Sequence, residues 1–390
     1  MRPRLLSQRG SGAAGRFAMD DEVRASGLDP ARRRGPRVRP PWGRRGPGRQ
    51  GARGGWSAPP ERDGATYAAL DLGTNNCRLL VARPTVDGFR VIDAFSRIIR
   101  LGEGLSASGR ISEPAIDRAL AALAVCRDKM RNRGVTRARL IATEACRAAG
   151  NQFEFLERVR AQIGLDLEIV DRETEARLAA TGCTPLVDPE ADGVILFDIG
   201  GGSSELIRLG RGEGGRGGPP LPEIRGWISL PVGVVTLAEH HGGIRVDRAI
   251  YEAMVAEVAA HIAPFVAAHG AEVAGEAIHM LGTSGTVTTI AGVFLDLPRY
   301  DRRQVDGCWL REAEVSRVLE QLLAMSYDER AANPCIGAER ADLVLAGCAI
   351  LEAIRRAFPC ERLRVADRGL REGMLVDMMR TDNVWAPRAS

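Results

Sequence analysis

Val194-Ile-Leu-Phe-Asp198-Ile-Gly200-Gly201-Gly202-Ser203-Ser204-Glu205-Leu-Ile-Arg-Leu209 is an apolar run that ends in one Asp and opens into three glycines and two serines. Apolar residues bounded by glycine read as a buried strand followed by a tight turn. Glycines there let backbone N–H groups converge with no Cβ in the way, and the serines add hydroxyl donors, so the turn is an anion-binding concavity. Asp198 at the strand end stands where it can hold a metal ion or a water beside that anion.

The pattern occurs a second time, in Ala68-Ala-Leu70-Asp71-Leu72-Gly73-Thr74-Asn75-Asn76-Cys77-Arg78-Leu79-Leu80-Val81. Asp71 falls on Asp198, Gly73 on Gly200, Thr74-Asn75-Asn76 on Gly201-Gly202-Ser203, and Leu79-Leu80 on Leu206-Ile207. The offset, 198 − 71 = 127 residues, is too long for a solenoid repeat and suits two duplicated half-molecules facing each other across a cleft. Two such turns predict a grip on one phosphorylated ligand.

The chain has 390 residues and a formal net charge of +4. Residues 1–64 hold fifteen Arg against six acidic residues, so that this segment carries +9 and residues 65–390 carry −5. The basic character belongs to the front segment, whose Arg/Gly/Pro composition cannot bury enough apolar surface to offset its ordering entropy, and it is expected to be a disordered tail. Its Gly-Ala-Arg-Gly-Gly-Trp56 sequence is the chain's one route to nucleic acid, through Arg contacts and aromatic stacking. Elsewhere Arg richness says little, because there is one lysine, Lys129, beside 53 arginines.

Several functional classes are unsupported. Eight cysteines show neither CxxC pairing nor zinc-ligand spacing, and five histidines form no HExxH. With no GKS or GKT sequence, a Walker-type phosphate loop is excluded. No apolar run reaches the roughly 18 residues of a membrane span and no secretory h-region opens the chain, so a cytoplasmic protein without a membrane partner is expected.

Along the chain, the hairpin at 67–83 continues into an extended stretch at 89–94. Ser112-Glu-Pro114 starts a long helix, with Ile116, Leu120, Leu123 and Met130 on one face and Gly134 past its end. A strand at 138–143 leads into Glu144-Ala-Cys-Arg147, Asn151 caps the next helix, and Leu167–Val170 is a short strand. Asp171-Arg-Glu173-Thr-Glu175-Ala-Arg177 reads as the carboxylate-rich first turns of another helix. Beyond the second hairpin, a low-complexity Gly-rich loop at 210–220 joins two strands and residues 247–269 are helical. Leu281-Gly282-Thr283-Ser284-Gly285-Thr286 is a third strand-to-glycine turn, opening a helix whose free N–H groups meet a further phosphate. Helices at 311–325 and 339–357, a strand at 363–367 and a helix at 368–380 complete an α/β alternation.

Six motifs in this order resemble the exopolyphosphatase/guanosine pentaphosphate phosphatase family: Asp71-Leu-Gly-Thr-Asn75, Ala142-Thr-Glu-Ala-Cys-Arg147, Glu173-Thr-Glu-Ala-Arg-Leu178, Phe197-Asp-Ile-Gly-Gly-Gly-Ser-Ser-Glu-Leu206, Leu281-Gly-Thr-Ser-Gly-Thr286 and Asp367-Arg-Gly-Leu-Arg-Glu-Gly373. The resemblance spans residues 67–380, is closest to the short two-domain members, and implies the actin-like ATPase and sugar kinase superfamily. It implies two ribonuclease-H-like domains around a central cleft: 65–185 completed by helix 368–381, and 186–367, flanked by tails at 1–64 and 382–390. It makes Glu175 the catalytic carboxylate, assisted by Arg147, a cleft arginine able to bind phosphate bidentately, and Asp198. Thr74, Asn75, Asn76, Arg78, Gly200, Gly201, Gly202, Ser203, Ser204, Gly282 and Ser284 become the phosphate contacts, and Asp71, Asp198 and Glu205 the ligands of Mg²⁺. Where the family pattern has Ser-Gly before the acids, this chain has Asp171-Arg172.

The implied activity is Mg-dependent release of terminal orthophosphate from inorganic polyphosphate, with Glu175 activating water. Guanosine pentaphosphate hydrolysis and a non-hydrolytic alarmone- or nucleotide-binding regulator are the alternatives. A sugar kinase is disfavoured by the acidic-helix motif, and a homodimer is compatible with the sequence.

Overall fold

The computed structural model describes residues 64–210 and 219–385. The expectations made for residues 1–63, for 211–218 in the Gly-rich loop and for 386–390 fall outside the described residues. The sequence pattern builds two sheets. Sheet 1 comprises β1 (Tyr67–Leu72), β2 (Asn76–Pro84), β3 (Phe89–Ile98), β4 (Arg137–Ala142) and β5 (Glu168–Ile169), in the order β3-β2-β1-β4-β5. Its helices are α1 (Leu105–Ser108), α2 (Glu113–Asn132), α3 (Glu144–Ala148), α4 (Gln152–Ile163) and α5 (Arg172–Cys183).

Sheet 2 comprises β6 (Gly193–Ile199), β7 (Ser204–Gly210), β8 (Glu223–Leu230), β9 (Ile278–Thr283), β10 (Trp309–Arg311) and β11 (Arg362–Ala366), in the order β10-β11-β9-β6-β7-β8. Helices α6 (Val234–His241), α7 (Arg248–Val273), α8 (Ser284–Phe294) and α9 (Arg302–Val305) follow its strands. Then come α10 (Glu312–Ala324), α11 (Tyr327–Ala332), α12 (Val344–Ala357) and α13 (Leu370–Thr381).

The two sheets repeat one plan. In each, the first three strands are antiparallel neighbours and the first strand runs parallel to the fourth. The repeat holds residue by residue. Asp71 pairs with Arg78 across β1–β2 as Asp198 pairs with Glu205 across β6–β7. The pairing register slips between Val81 and Ala82 on β2 and between Arg208 and Leu209 on β7, again 208 − 81 = 127 residues apart. A bulge kept at the same place in both halves bends each hairpin in the same way.

Central strands are apolar on both faces, as a sheet covered by helices on each side requires. On sheet 1, Leu70, Leu72 and Leu79 pack with α2 and α4, while Ala69 and Leu80 pack with α13. On sheet 2, Ile195, Phe197 and Ile199 join the large core with α7, α8 and α12, whereas Val194 and Leu196 meet α5. Helix α5 is therefore shared: Leu178 faces the sheet 1 core, and Ala176, Ala180 and Cys183 face sheet 2. Small residues make this possible. A Cβ on Gly373 of α13 would lie 1.9 Å from the Leu178 carbonyl, and one on Gly182 would lie 2.0 Å from the Gly369 carbonyl.

Several sequence expectations are corrected. Asn151 precedes α4 but makes no side-chain cap; its amide accepts from the Ile111 N–H and donates to the Ile111 carbonyl, both at 2.9 Å. Residues 382–385, assigned to a tail, are packed: Tyr67 donates to Asp382 at 2.9 Å and the Trp385 indole donates to the Thr85 carbonyl. Helix α7, interrupted by Glu252 and Glu257, is by length and composition alone apolar enough to cross a membrane. Its alanines and few charges satisfy that test while Met254, Val258, Ile262 and Phe265 fill the sheet 2 core.

Candidate active site

Both hairpin turns close with the same backbone bond, Gly73 N–H to the Asn76 carbonyl at 2.9 Å and Gly200 N–H to the Ser203 carbonyl at 3.0 Å. The turns also touch each other. A Cβ on Gly201 would lie 2.9 Å from the Thr74 Cβ, and one on Gly202 would lie 2.9 Å from the Thr74 Oγ1. These glycines are thus required by the approach of the opposite loop. Around them opens a cleft of about 680 Å³ that brings together Asp71, Thr74, Asn75, Asn76 and Arg78 with Glu175, Asp198, Gly200, Gly201, Gly202, Ser203, Glu205 and Ser284.

Ser204 and Gly282 do not line this cleft. The buried Ser204 hydroxyl donates to the Val232 carbonyl at 2.8 Å. A Cβ on Gly282 would lie 2.6 Å from the Phe197 ring, so this glycine serves core packing. Ser284 does face the cleft and opens α8, with φ +80, a left-handed conformation uncommon for serine.

Glu175 lies in the first turn of α5, a helix capped by Asp171, whose carboxylate accepts from the Thr174 N–H at 2.7 Å. The departure from Ser-Gly to Asp171-Arg172 therefore supplies the cap of the helix that presents Glu175. Burial pushes the Glu175 carboxyl up to about 7; Arg147 opposes the shift, and Asp71 and Asp198 add to it. Burial likewise raises Asp198 to about 6, against Arg78 and with Asp71. Asp71 is raised by burial, and Glu205 is driven well up by burial with Glu175 and Asp198.

The expected trio of metal ligands is not a cage. Among the described residues no three metal-ligating side chains converge on one point. Glu205 is 2 % exposed and accepts hydrogen bonds from Ser203 at 2.9 Å and Ser229 at 3.0 Å. Asp71 and Asp198, each raised by burial near the end of the equivalent strand, remain as two carboxylates lining the cleft. That donor set fits a magnesium ion, which takes one or two carboxylates and completes its shell with water and substrate oxygens.

Arg147 is also reassigned. Its guanidinium donates to Glu144 at 2.8 and 3.1 Å, to the Val170 carbonyl at 2.6 Å and to Glu175 at 2.9 Å. Four of its five N–H groups face protein acceptors, so it positions Glu175 and is not free for a bidentate phosphate grip. Glu144, absent from the expected site, lines the cleft and also accepts from Arg172 at 2.9 Å.

The free cations lie elsewhere. Arg78, Arg340 and Arg371 line the cleft, and among the described residues none of their guanidinium groups has an ion-pair or hydrogen-bond partner. Burial lowers the pKa of Arg340 and of Arg371 and outweighs the attraction of nearby carboxylates, Glu339 and Asp367 for Arg340, Glu372 and Asp71 for Arg371. By contrast Arg302 pairs with Glu372 at 2.9 Å, and Arg368 pairs with Asp306. Arg78 was among the expected phosphate contacts. Arg371 stands inside a quoted motif without having been singled out, and nothing local marks Arg340 in an arginine-rich chain.

This arrangement of paired turns, buried carboxylates and unpaired guanidiniums suits a phosphorylated ligand and an activated water. The family model of the Ppx/GppA phosphatase family matches residues 80–382. Among solved structures, the Aquifex aeolicus member of the Ppx/GppA family is 27% identical, covering 82% of this chain and 99% of that one, with a TM-score of 0.65. An exopolyphosphatase-like protein is 28% identical over 82% of this chain and 99% of its own, with a TM-score of 0.72. An exopolyphosphatase from Cytophaga hutchinsonii, at 24% identity, 81% and 98% coverage and a TM-score of 0.73, shares the fold. The family match over residues 80–382 and the shared fold show that the chain belongs to the Ppx/GppA phosphatase family.

Proposed function

We propose that this enzyme hydrolyses the terminal phosphoanhydride of inorganic polyphosphate, releasing orthophosphate, with Glu175 as general base. The observation that carries the reading is the placement of Glu175. It lines the cleft half-buried, hydrogen-bonded by Arg147 and raised to about 7, where a carboxylate is basic enough to take a proton from water near neutral pH. The similar protein named exopolyphosphatase-like, 28% identical, supports the same substrate class.

Glu175 would accept a proton from the water attacking the terminal phosphorus. Arg78, Arg340 and Arg371 would bind the phosphoryl oxygens, and the backbone N–H groups of the two turns would cradle the chain. Asp71 and Asp198 would hold magnesium, which when bound neutralises charge developing on the transferred phosphoryl group. Residues 65–185 with 368–381 would act as one jaw and 186–367 as the other.

A second reading, guanosine pentaphosphate as substrate, is favoured by Tyr300. Its ring is 36 % exposed at the cleft, and its hydroxyl is anchored to Asp367 at 2.7 Å, leaving a face on which guanine could stack. The test is orthophosphate release from long-chain polyphosphate with Mg²⁺, run beside guanosine pentaphosphate in competition. We expect Glu175→Gln to lose about 10²–10⁴-fold in turnover while keeping ligand binding. Preference for the nucleotide would replace the substrate, and tight binding by a folded wild type with no release from either would leave a regulator.

A further inference from the structure

The segment Ile99–Ser106, between β3 and the end of α1, takes no part in the chemistry above, yet it bonds to the first phosphate turn, to the residues flanking Arg340 and to α6. On its own side, the Ile99 and Arg100 N–H groups donate to the Asn75 carbonyl at 2.9 and 3.1 Å, and the Gly102 N–H donates to the Thr74 carbonyl at 2.9 Å. It therefore holds the first phosphate turn from behind. Across the cleft mouth, the Arg100 guanidinium forks onto Asp342, Nη1 to Oδ2 at 2.8 Å and Nη2 to Oδ1 at 3.0 Å, and reaches the Glu339 carbonyl at 2.9 Å. Glu339 and Asp342 flank Arg340, one of the three unpaired cations.

A third tie reaches the second turn. Glu239 of α6 accepts from the Gly104 N–H at 2.8 Å and from the Ser106 hydroxyl at 2.6 Å. The start of α6 is itself bonded to that turn, Val234 N–H to the Gly200 carbonyl at 3.0 Å and Val235 N–H to the Gly201 carbonyl at 2.8 Å. Arg100 makes its contacts from φ +46, a left-handed conformation a non-glycine side chain holds only where its surroundings enforce it. Arg118 supplies part of that enforcement, donating to the Ile99 carbonyl at 2.7 Å and to the Arg100 carbonyl at 3.1 Å.

We propose that this strap, through the Arg100–Asp342 fork and Glu239, is a positioning device that locks the two phosphate turns and Arg340 into one closed arrangement. Arg100, Asp342 and Glu239 touch no reacting atom; they fix the distance between groups that do. That the locked groups serve polyphosphate rests on the substrate reading above, whereas the lock itself does not.

The test uses the full chain and has two arms. Amide hydrogen exchange of residues 72–78, without ligand, is compared in wild type and Asp342→Asn, a near-isosteric change on the opposite side of the cleft. We expect about tenfold faster exchange in this turn, with the core of β1 and β6 unchanged, and the same result for Arg100→Lys, which keeps the charge but not the fork. Unchanged exchange in both variants overturns the proposal. In the second arm, affinity for long-chain polyphosphate should fall about tenfold in Asp342→Asn and in Arg100→Lys, and no further in the double variant. Additive losses would overturn the lock. A wild type that binds no polyphosphate would instead sink the substrate reading, and the exchange arm would still decide the strap.

Discussion

At the scale of single residues, the site depends on how Glu175 is balanced. Burial raises its carboxyl to about 7 and Arg147 restrains it. A base must be ionised, so kcat/KM should fall as pH drops below about 7. Arg147→Met removes the restraint and should move that limb to higher pH, measurable in a pH–rate profile; an unmoved limb would sever Arg147 from Glu175. Ser284 offers a second test. With φ +80 it is strained, so Ser284→Gly should raise stability by about 1 kcal/mol while Ser284→Ala should not, read from denaturation midpoints. The same hydroxyl faces Asp198 and opposes the rise of its carboxyl, so both variants should lose activity. Glu175 and Ser284 were legible because each stands in a motif with a chemical rationale. Arg340 was not: what marks it is the lack of a hydrogen-bond or ion-pair partner, a property of the folded surroundings alone.

At the scale of elements, helix α5 must lie close to α13 for Glu175 to reach the cleft, and the two backbones approach through Gly182, Gly369 and Gly373. An added Cβ at position 373 would meet the Leu178 backbone, which has no flexible end to move aside. Gly373→Ala should therefore cost about 1–3 kcal/mol or more, read by chemical denaturation, and lower turnover by displacing α5. The central strands, the long helices and the duplicated hairpins were readable from periodicity and glycine placement, whereas the short β10 was not. Asn151 was read as a cap because it precedes a helix; its amide instead ties α4 to Ile111, 40 residues away, and local sequence carries no sign of such a partner.

At the scale of the whole molecule, stability is set against function in the cleft. A carboxyl whose folded pKa is raised stabilises the fold fully below its ordinary value, and that contribution is lost as pH rises through the folded value. For Glu175 the window runs from 4.5 to about 7. Without metal or substrate, Glu175→Gln should thus be more stable than the wild type above pH 7, and the difference should vanish below 4.5; thermal melts across pH read it. His279 acts in the opposite sense. Its Nδ1 donates to the Met280 carbonyl and its Nε2 accepts from the Asp188 N–H, a neutral tautomer that burial favours by lowering its pKa. Its contribution is present above 6.5 and lost as pH falls through the lower folded value, so His279→Gln should flatten the acid limb of the stability profile.

The amino-acid sequence by itself determined the α/β class, the duplication and its 198 − 71 = 127 offset and the two glycine turns. These are carried by period, spacing and residue type, which survive in one dimension. Only the tertiary structure decided that Gly201 and Gly202 make room for Thr74, that Arg147 steers Glu175 instead of gripping phosphate, and that Arg78, Arg340 and Arg371 stand unpaired. Each of those is a relation between residues far apart in the chain, and a side chain's role there follows from which partners folding brings within reach.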